Sequence, residues 1–398
     1  MNVFKILYCR TFQFVFKVAI PILPYRRPQI LQSVEAAADK LHALGSKRVF
    51  IVTDAGVRDA GLCDRFVSAL GKNGIDNIVY DKTMPNPTVA AVEDARNEYV
   101  TAGCDAIVAI GGGSAMDLAK ACGARIVRPK KNLNKMAGLL HVRKRLPPLF
   151  AVPTTAGTGS ETTIAAVITD GETHRKYAVN DFSLIPHYAV LDSSLTIGLP
   201  KTITAHTGMD ALTHAVEAYI GRSTTKDTRA KAVEAVRLIR ENLKTCYDEP
   251  SNANARNNML YAAHYAGIAF TKSYVGYVHA VAHSLSGRYG LPHGLTCAVL
   301  LPVVLESYGK RTYKRLAKLA RASGVSTAKN NADAAEEFIS FVYGMNEYLG
   351  IPKGFSEIEE TDVPQMAKYA DKEGNPLYPV PKLYGRKELE KIYYKVKL

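Results

Sequence analysis

The sequence predicts two unlike halves: an α/β amino-terminal region built on a Rossmann-like parallel sheet that binds a dinucleotide, then an all-α carboxy-terminal region. Three observations carry this. Between residues 30 and 195, short apolar, β-branched runs alternate with stretches of helical period, the rhythm of a parallel sheet with helices on its faces. After "GLPKT" at 198–202 the strand-like runs stop and helical periodicity alone continues. The chain has 398 residues, more than one ordinary core supports.

The expected boundaries are an apolar, basic leader at 1–28, the dinucleotide-binding domain at 29–198 and a helical metal-binding domain at 199–398. In the leader, Lys5, Arg10, Gln13 and Lys17 interrupt the apolar run. It therefore falls short of the roughly 20 uninterrupted apolar residues of a membrane span, and it lacks the small-residue cleavage site of a secretory signal. Pro21 and Pro24 end any helix there. The leader reads as a helix docked on the protein's own surface or on a neighbouring subunit; a segment resting on a membrane surface is the sharper reading.

Next, "QILQSVEAAADKLHAL" has helical period, "RVFIVTD" is a strand ending at Asp54, and residues 57–72 are helical. "NIVYD", "NPTVAAVEDARNEYVTAG" and "DAIVAIGGG" continue the alternation, and "LFAVPTTAGTGSE", "AAVITD" and "HYAVLD" add strands. They read as the continuous apolar runs of buried parallel strands. "AHTGMDALTHAVEAYIG", "KDTRAKAVEAVRLIRENLKTCY", "NARNNMLYAAHYAGIAFTKS" and "TYKRLAKLARASG" are helical. No repeat or low-complexity linker separates the halves, so the active site is expected in a cleft between them.

Composition narrows the class. At 47% hydrophobic and 22% charged the chain is globular and soluble. Six cysteines without a C-x-x-C pair indicate a reducing, cytoplasmic setting and ordinary buried thiols. The net charge of +14 suits a phosphate-rich cofactor or an acidic substrate. No Lys/Arg run with interleaved aromatics and no helix-turn-helix or zinc-finger spacing is present, which argues against nucleic acid.

Two glycine–hydroxyl loops follow strands. In "AIVAIGGGSAMDLAK", Ser114 stands as an N-cap with Asp117 at capping-box spacing. The helix N-terminus suits a pyrophosphate, although the G-x-G-x-x-G fingerprint is absent. In "VPTTAGTGSE", Thr154, Thr155 and Thr158 offer hydroxyls. Asp54, ending its strand, can accept from a ribose 2′-hydroxyl and would repel a 2′-phosphate.

The helical half carries metal-ligand spacing. Asp210 and His214 are four apart, as are His279 and His283, and His293 lies in "PHG". Residues four apart share a helix face. A set of Asp210, His214, one of His279 and His283, and His293 suits Fe2+ or Zn2+; spacing alone leaves that choice open. The remaining histidines, His42, His141, His174, His187, His206 and His264, lack partner spacing and read as structural or exposed. A divalent cation beside a nicotinamide points to alcohol–carbonyl interconversion.

With "IVTD", "MPNPT", "IGGGSAMDLAK", "PTTAGTGSE", "TGMDALTHAVEAY" and "VHAVAHSLSGRYGLPHG", the sequence resembles the iron-containing (group III) alcohol dehydrogenases from about residue 30 to the end. The resemblance implies a dehydroquinate synthase-like architecture and a homodimer. It implies Asp210, His214, His279 and His293 as ligands of Fe2+, or of Zn2+ or another divalent ion, with His283 near nicotinamide and substrate. It also implies that Asp54 favours NAD over NADP. Asn86, Gly112, Gly113, Ser114, Asp117, Thr154, Thr155, Thr158 and Lys176 would line the cofactor site. "GNP" at 374–376 resembles the family's active-site-adjacent motif. The implied reaction is hydride transfer between a small primary alcohol or diol, or its aldehyde, and nicotinamide. The leader departs from the family pattern and admits peripheral membrane contact through residues 1–24. A glycerol-dehydrogenase-like or other polyol dehydrogenase, and a non-catalytic membrane-surface relative, are the alternative readings.

Overall fold

The structure, a computed structural model, describes residues 1–171 and 176–398; His174 lies outside the described residues. The chain forms two compact units, Pro24–Ile197 and Gly198–Leu398, and the leader Met1–Leu23 belongs to the second.

In chain order the elements are α1 (Val3–Ala19), β1 (Gln29–Leu31), α2 (Val34–Ala43), β2 (Arg48–Val52), α3 (Ala55–Asp59), α4 (Asp64–Lys72) and β3 (Asp76–Tyr80). Then come α5 (Val89–Thr101), β4 (Ala106–Gly111), α6 (Gly113–Val127), β5 (Gly138–Leu139), β6 (Leu149–Pro153), β7 (Ala165–Thr169), β8 (Lys176–Asn180) and β9 (Tyr188–Val190). The helical unit follows as α7 (Lys201–Ile220), α8 (Lys226–Asp248), α9 (Ala253–Ser273), α10 (Tyr277–Tyr289) and α11 (His293–Tyr308). It ends with α12 (Lys310–Ala322), α13 (Asn331–Tyr348), α14 (Val363–Gly374) and α15 (Arg386–Val396).

Six strands form one sheet in the order β1-β9-β6-β4-β2-β3, with every pair parallel. Its central strands are buried on both sides. Phe50, Val52, Ile107 and Ala109 pack with α5 and α6. Val49, Ile51, Val108 and Ile110 pack with α2 and α4. Successive side chains thus serve opposite cores, as strand geometry requires. The strand order reverses between β2 and β4, and ligands of such sheets bind at the carboxyl ends there.

Two local readings are corrected. Residues 29–31 are strand β1 rather than the start of a helix; Ser33 caps α2 by accepting from the Ala36 N–H at 3.2 Å. And "AAVIT" does not join the parallel sheet: β7 pairs antiparallel with β8 in a three-stranded sheet that includes β5. Its alternating burial, with Ala166 and Ile168 inside, is that of a strand covered on one face, which an all-apolar run conceals.

The helical unit is organised on α7, which is buried almost continuously from Thr204 to Ile220. A helix apolar on most faces belongs in a core, and α8, α9 and α11 surround this one. Against the same unit lies α1, held by its polar side: Lys5 pairs with Asp371 at 2.7 Å, and Gln13 donates to the Pro376 and Tyr378 carbonyls at 3.1 and 2.7 Å. The docked-helix reading of the leader matches this placement.

One buried cation was not foreseen. Lys120 on α6 is fully buried and donates to the Ser160 carbonyl and hydroxyl, the Thr163 hydroxyl and the Ala165 carbonyl at 2.6–2.9 Å. Burial lowers its pKa to about 8, opposed by the neighbouring Asp117 and Glu161 charges. It ties the 154–163 loop to α6. Replacing Lys120 with Met would strand those acceptors and Asp117; a loss of about 3–5 kcal/mol is expected, read by denaturant unfolding.

Candidate metal centre and cofactor loops

Three helices of the second unit bring the metal-type side chains together. Asp210 and His214 come from α7, His279 and His283 from α10, and His293 opens α11. Gly294 makes the last placement possible: a Cβ there would stand 2.3 Å from the His206 carbonyl oxygen of α7. Asp210, His279, His293 and Cys297 each offer a ligand atom, all within 4.8 Å of one another. Asp210 Oδ1 is 3.8 Å from His279 Nε2 and 3.6 Å from His293 Nε2. Donors about 2.0–2.3 Å from one ion stand roughly 3–4 Å apart.

The residues fit a cation on independent grounds. Asp210 and His279 are each 2% exposed, yet among the described residues Asp210 Oδ1 and His279 Nε2 have no hydrogen-bond partner. Orphaned buried polar atoms cost roughly 1–3 kcal/mol each. Burial raises the Asp210 pKa, with His214 opposing, and drives His279 down to about 3. A neutral imidazole is the ligating form.

His214 stands beside this group. Its Nδ1 is 3.8 Å from Asp210 Oδ2, and its ring stacks between Phe270 and His279, with centroids at 4.2 and 4.5 Å. His283 is outside the group and about a third exposed (32%); its Nδ1–H donates to Glu373 Oε1 at 2.6 Å. The Tyr378 hydroxyl donates to the same oxygen at 2.7 Å. The two histidines that spacing left equivalent thus occupy different surroundings.

Glu217, two turns along α7 from Asp210, explains the difference. It accepts from His279 Nδ1–H at 2.7 Å, leaving Nε2 with its lone pair. Its carboxylate also accepts from the Gly276 and Val278 N–H groups at 2.7 and 2.8 Å. Burial pushes its pKa up to about 7 against those backbone donors. A Cβ on Gly276 would stand 2.6 Å from Glu217 Oε1, so a larger residue there would push the carboxylate off its donors. The signal lay in "MDALTHAVE", with the acid seven residues after Asp210. Cys297, a free and fully buried thiol as expected, lies one turn after His293, with Sγ 3.6 Å from His293 Nε2.

In the sheet unit the predicted loops converge. Asp54 Oδ1 caps α3 by accepting from the Val57 N–H at 3.0 Å. Its Oδ2 lies 3.6 Å from where a Gly111 Cβ would stand. Cβ atoms on Gly112 and Gly113 would meet Thr155 Oγ1 at 3.6 Å and Thr158 Cγ2 at 3.1 Å. The Thr154 N–H donates to the Gly111 carbonyl at 3.1 Å. The expected Ser114 cap is not formed. Gly112 is the N-cap, without a side-chain bond, and Ser114 falls inside the first turn. Asp117 turns away to accept from Ser160 Oγ at 3.0 Å and the Val167 N–H at 3.1 Å. The first turn of α6 therefore has no side-chain cap, which suits an anionic ligand. Asn86 is exposed in a left-handed turn with φ 58°. Lys176 pairs with Thr169, whose N–H donates to the Pro87 carbonyl; burial lowers its pKa.

The sheet unit thus carries open glycine loops at its strand ends, and the helical unit a buried acid among imidazoles. Residues 29–193 match the iron-containing alcohol dehydrogenase model, and residues 204–396 match the carboxy-terminal model of the Fe-containing alcohol dehydrogenase family. The chain belongs to that family. It is 37% identical over 384 residues to the 1,3-propanediol dehydrogenase of Citrobacter freundii, covering 95% of this chain and 98% of that one. It is 36% identical over 345 residues to the NAD-dependent methanol dehydrogenase of Bacillus methanolicus, covering 85% and 89%. The crystal structure of a 1,3-propanediol oxidoreductase superposes with a TM-score of 0.90 at 36% identity, covering 94% and 99%.

Glu217→Gln keeps the shape but weakens the acceptor that orients His279. Metal affinity is expected to fall about 10–100-fold, measured by equilibrium dialysis, with unchanged helix content.

Proposed function

We propose that this chain catalyses reversible hydride transfer between a small primary alcohol or diol and NAD, with Asp210, His214, His279 and His293 holding Fe2+, or Zn2+ or another divalent ion. The observation that carries the proposal is the convergence of the buried Asp210 and His279 with the half-buried His293, with orphaned atoms on the first two. The proximity of His214 to Asp210 supports it as the fourth ligand. When bound, such an ion supplies Lewis acidity that lowers the pKa of an alcohol hydroxyl.

The chain's own residues do the rest. Asp210 contributes the negative charge, and Glu217 holds the His279 ring. His283, whose Nδ1–H donates to Glu373, is the group that takes up and passes on the hydroxyl proton. In the sheet unit, Gly112, Gly113 and Ser114 present backbone to the pyrophosphate. Thr154, Thr155 and Thr158 line its loop, with Asp117 anchoring that loop. Asn86 and Lys176 complete the cofactor site. Asp54 receives the ribose hydroxyls and disfavours NADP. All six cysteines are free and buried, which supports a reducing, cytoplasmic setting.

A panel of alcohols and aldehydes, read by NADH absorbance on anaerobically purified protein resupplied with Fe2+ or Zn2+, tests the reaction. His279→Ala is expected to lose bound metal and turnover together; metal retained would reject the ligand set. His283→Ala should lower kcat about 10²–10⁴-fold with metal content intact. Asp54→Gly should shift preference towards NADP, and an unchanged NADP/NAD ratio of kcat/KM would remove Asp54 from that role.

A further inference from the structure

We propose that α1 and the basic rim beside it form a docking surface for an anionic lipid bilayer. The helix is seated with its polar side inward. Lys5 is paired with Asp371, Arg10 donates to the Val380 and Pro381 carbonyls at 2.8 and 3.1 Å, and Gln13 is buried. Its outward side is apolar: Phe4, Leu7, Tyr8, Phe14, Val15 and Val18 are each 60–85% exposed. At about 100° per residue these positions fall within one arc of roughly 120°, in which Thr11 is the only polar side chain. Scattered exposed apolar residues need no explanation, but a continuous stripe does.

Charge selects the occupant. Residues 371–388 include most of the segment against which α1 is bonded. Every exposed residue in that span is a cation: Lys372, Lys382, Arg386 and Lys387. Lys17 adds an exposed cation on α1 itself. The two glutamates of the span are turned to the protein, Glu373 to His283 and Tyr378 and Glu388 to the Gly385 N–H. A second copy docked through the same face would bring two cationic rims together, because a two-fold interface pairs like surface with like. An anionic headgroup layer takes the apolar stripe and the rim at once. The mode is interfacial: among the described residues no helix is long and apolar enough to cross a membrane. Because the inward contacts already hold the helix, docking requires no folding.

Flotation of the full-length protein with vesicles of phosphatidylcholine, alone or with about one-third phosphatidylglycerol, is the test. The protein is expected to float with the anionic vesicles and about tenfold less with the neutral ones or in high salt, with no gain of helix by circular dichroism. The triple variant Leu7→Gln, Phe14→Gln, Val18→Gln should lose flotation about tenfold, with Tm and turnover unchanged. Wild-type protein that stays at the bottom with anionic vesicles overturns the proposal, as does a triple variant that floats like wild type. So does a triple variant that fails to float but also converts a larger assembly to a smaller one, which would place a second copy on the stripe. Lys382→Glu with Lys387→Glu should weaken flotation on anionic vesicles only; undiminished flotation would remove the rim from the surface.

Discussion

A carboxylate taken out of water needs a partner of opposite charge, and Asp210 is such a carboxylate. At 2% exposure its solvation is gone, and burial also opposes protonation of its neighbour His279. The helical unit resolves the conflict by arranging these groups around a point that a divalent cation can fill. The long buried span of α7, the glycine that lets α11 touch it and the second acid two turns on are all consequences. Glu217 is itself stabilised by backbone N–H groups at the start of α10, so one helix terminus orients the imidazole that its own first turn carries. Such outer contacts fix the ring and the tautomer, on which affinity depends.

How legible was this from residues alone? The parallel sheet was, because β2, β4 and β6 are buried on both sides and read as unbroken apolar runs. The antiparallel β7 was misplaced for the same reason, since an apolar run does not reveal which sheet it joins. The helices that carry the candidate ligands were legible through spacing of four. The choice between His279 and His283 was not, because both lie on one face of α10. The two are told apart by their partners, Glu217 for His279, about sixty residues away in sequence, and Glu373 for His283, further still. Pair spacing cannot express contacts of that range.

The cofactor loops show a similar limit. Glycines and hydroxyls at strand ends announced the region, but the capping pattern proposed for Ser114 and Asp117 belongs to a helix that starts later than the real one. With Gly112 as the cap, Asp117 is freed to join Ser160 and Lys120 in a buried network that positions the second loop. Lys120 looked like an ordinary helix residue because its acceptors come from forty residues downstream. Cys297 was hidden by a sound generalisation about reduced thiols, which says nothing about the neighbour one helical turn away.

The inward side of α1 has one more consequence. Gln13 holds the Tyr378 carbonyl at 2.7 Å, the Tyr378 hydroxyl reaches Glu373 at 2.7 Å, and Glu373 grips the His283 imidazole at 2.6 Å. The leader and the His283 ring are thus the ends of one short chain of hydrogen bonds. Because Glu373 accepts from both Tyr378 and His283, the packing of α1 on the 376–380 turn and the orientation of the His283 ring share one carboxylate.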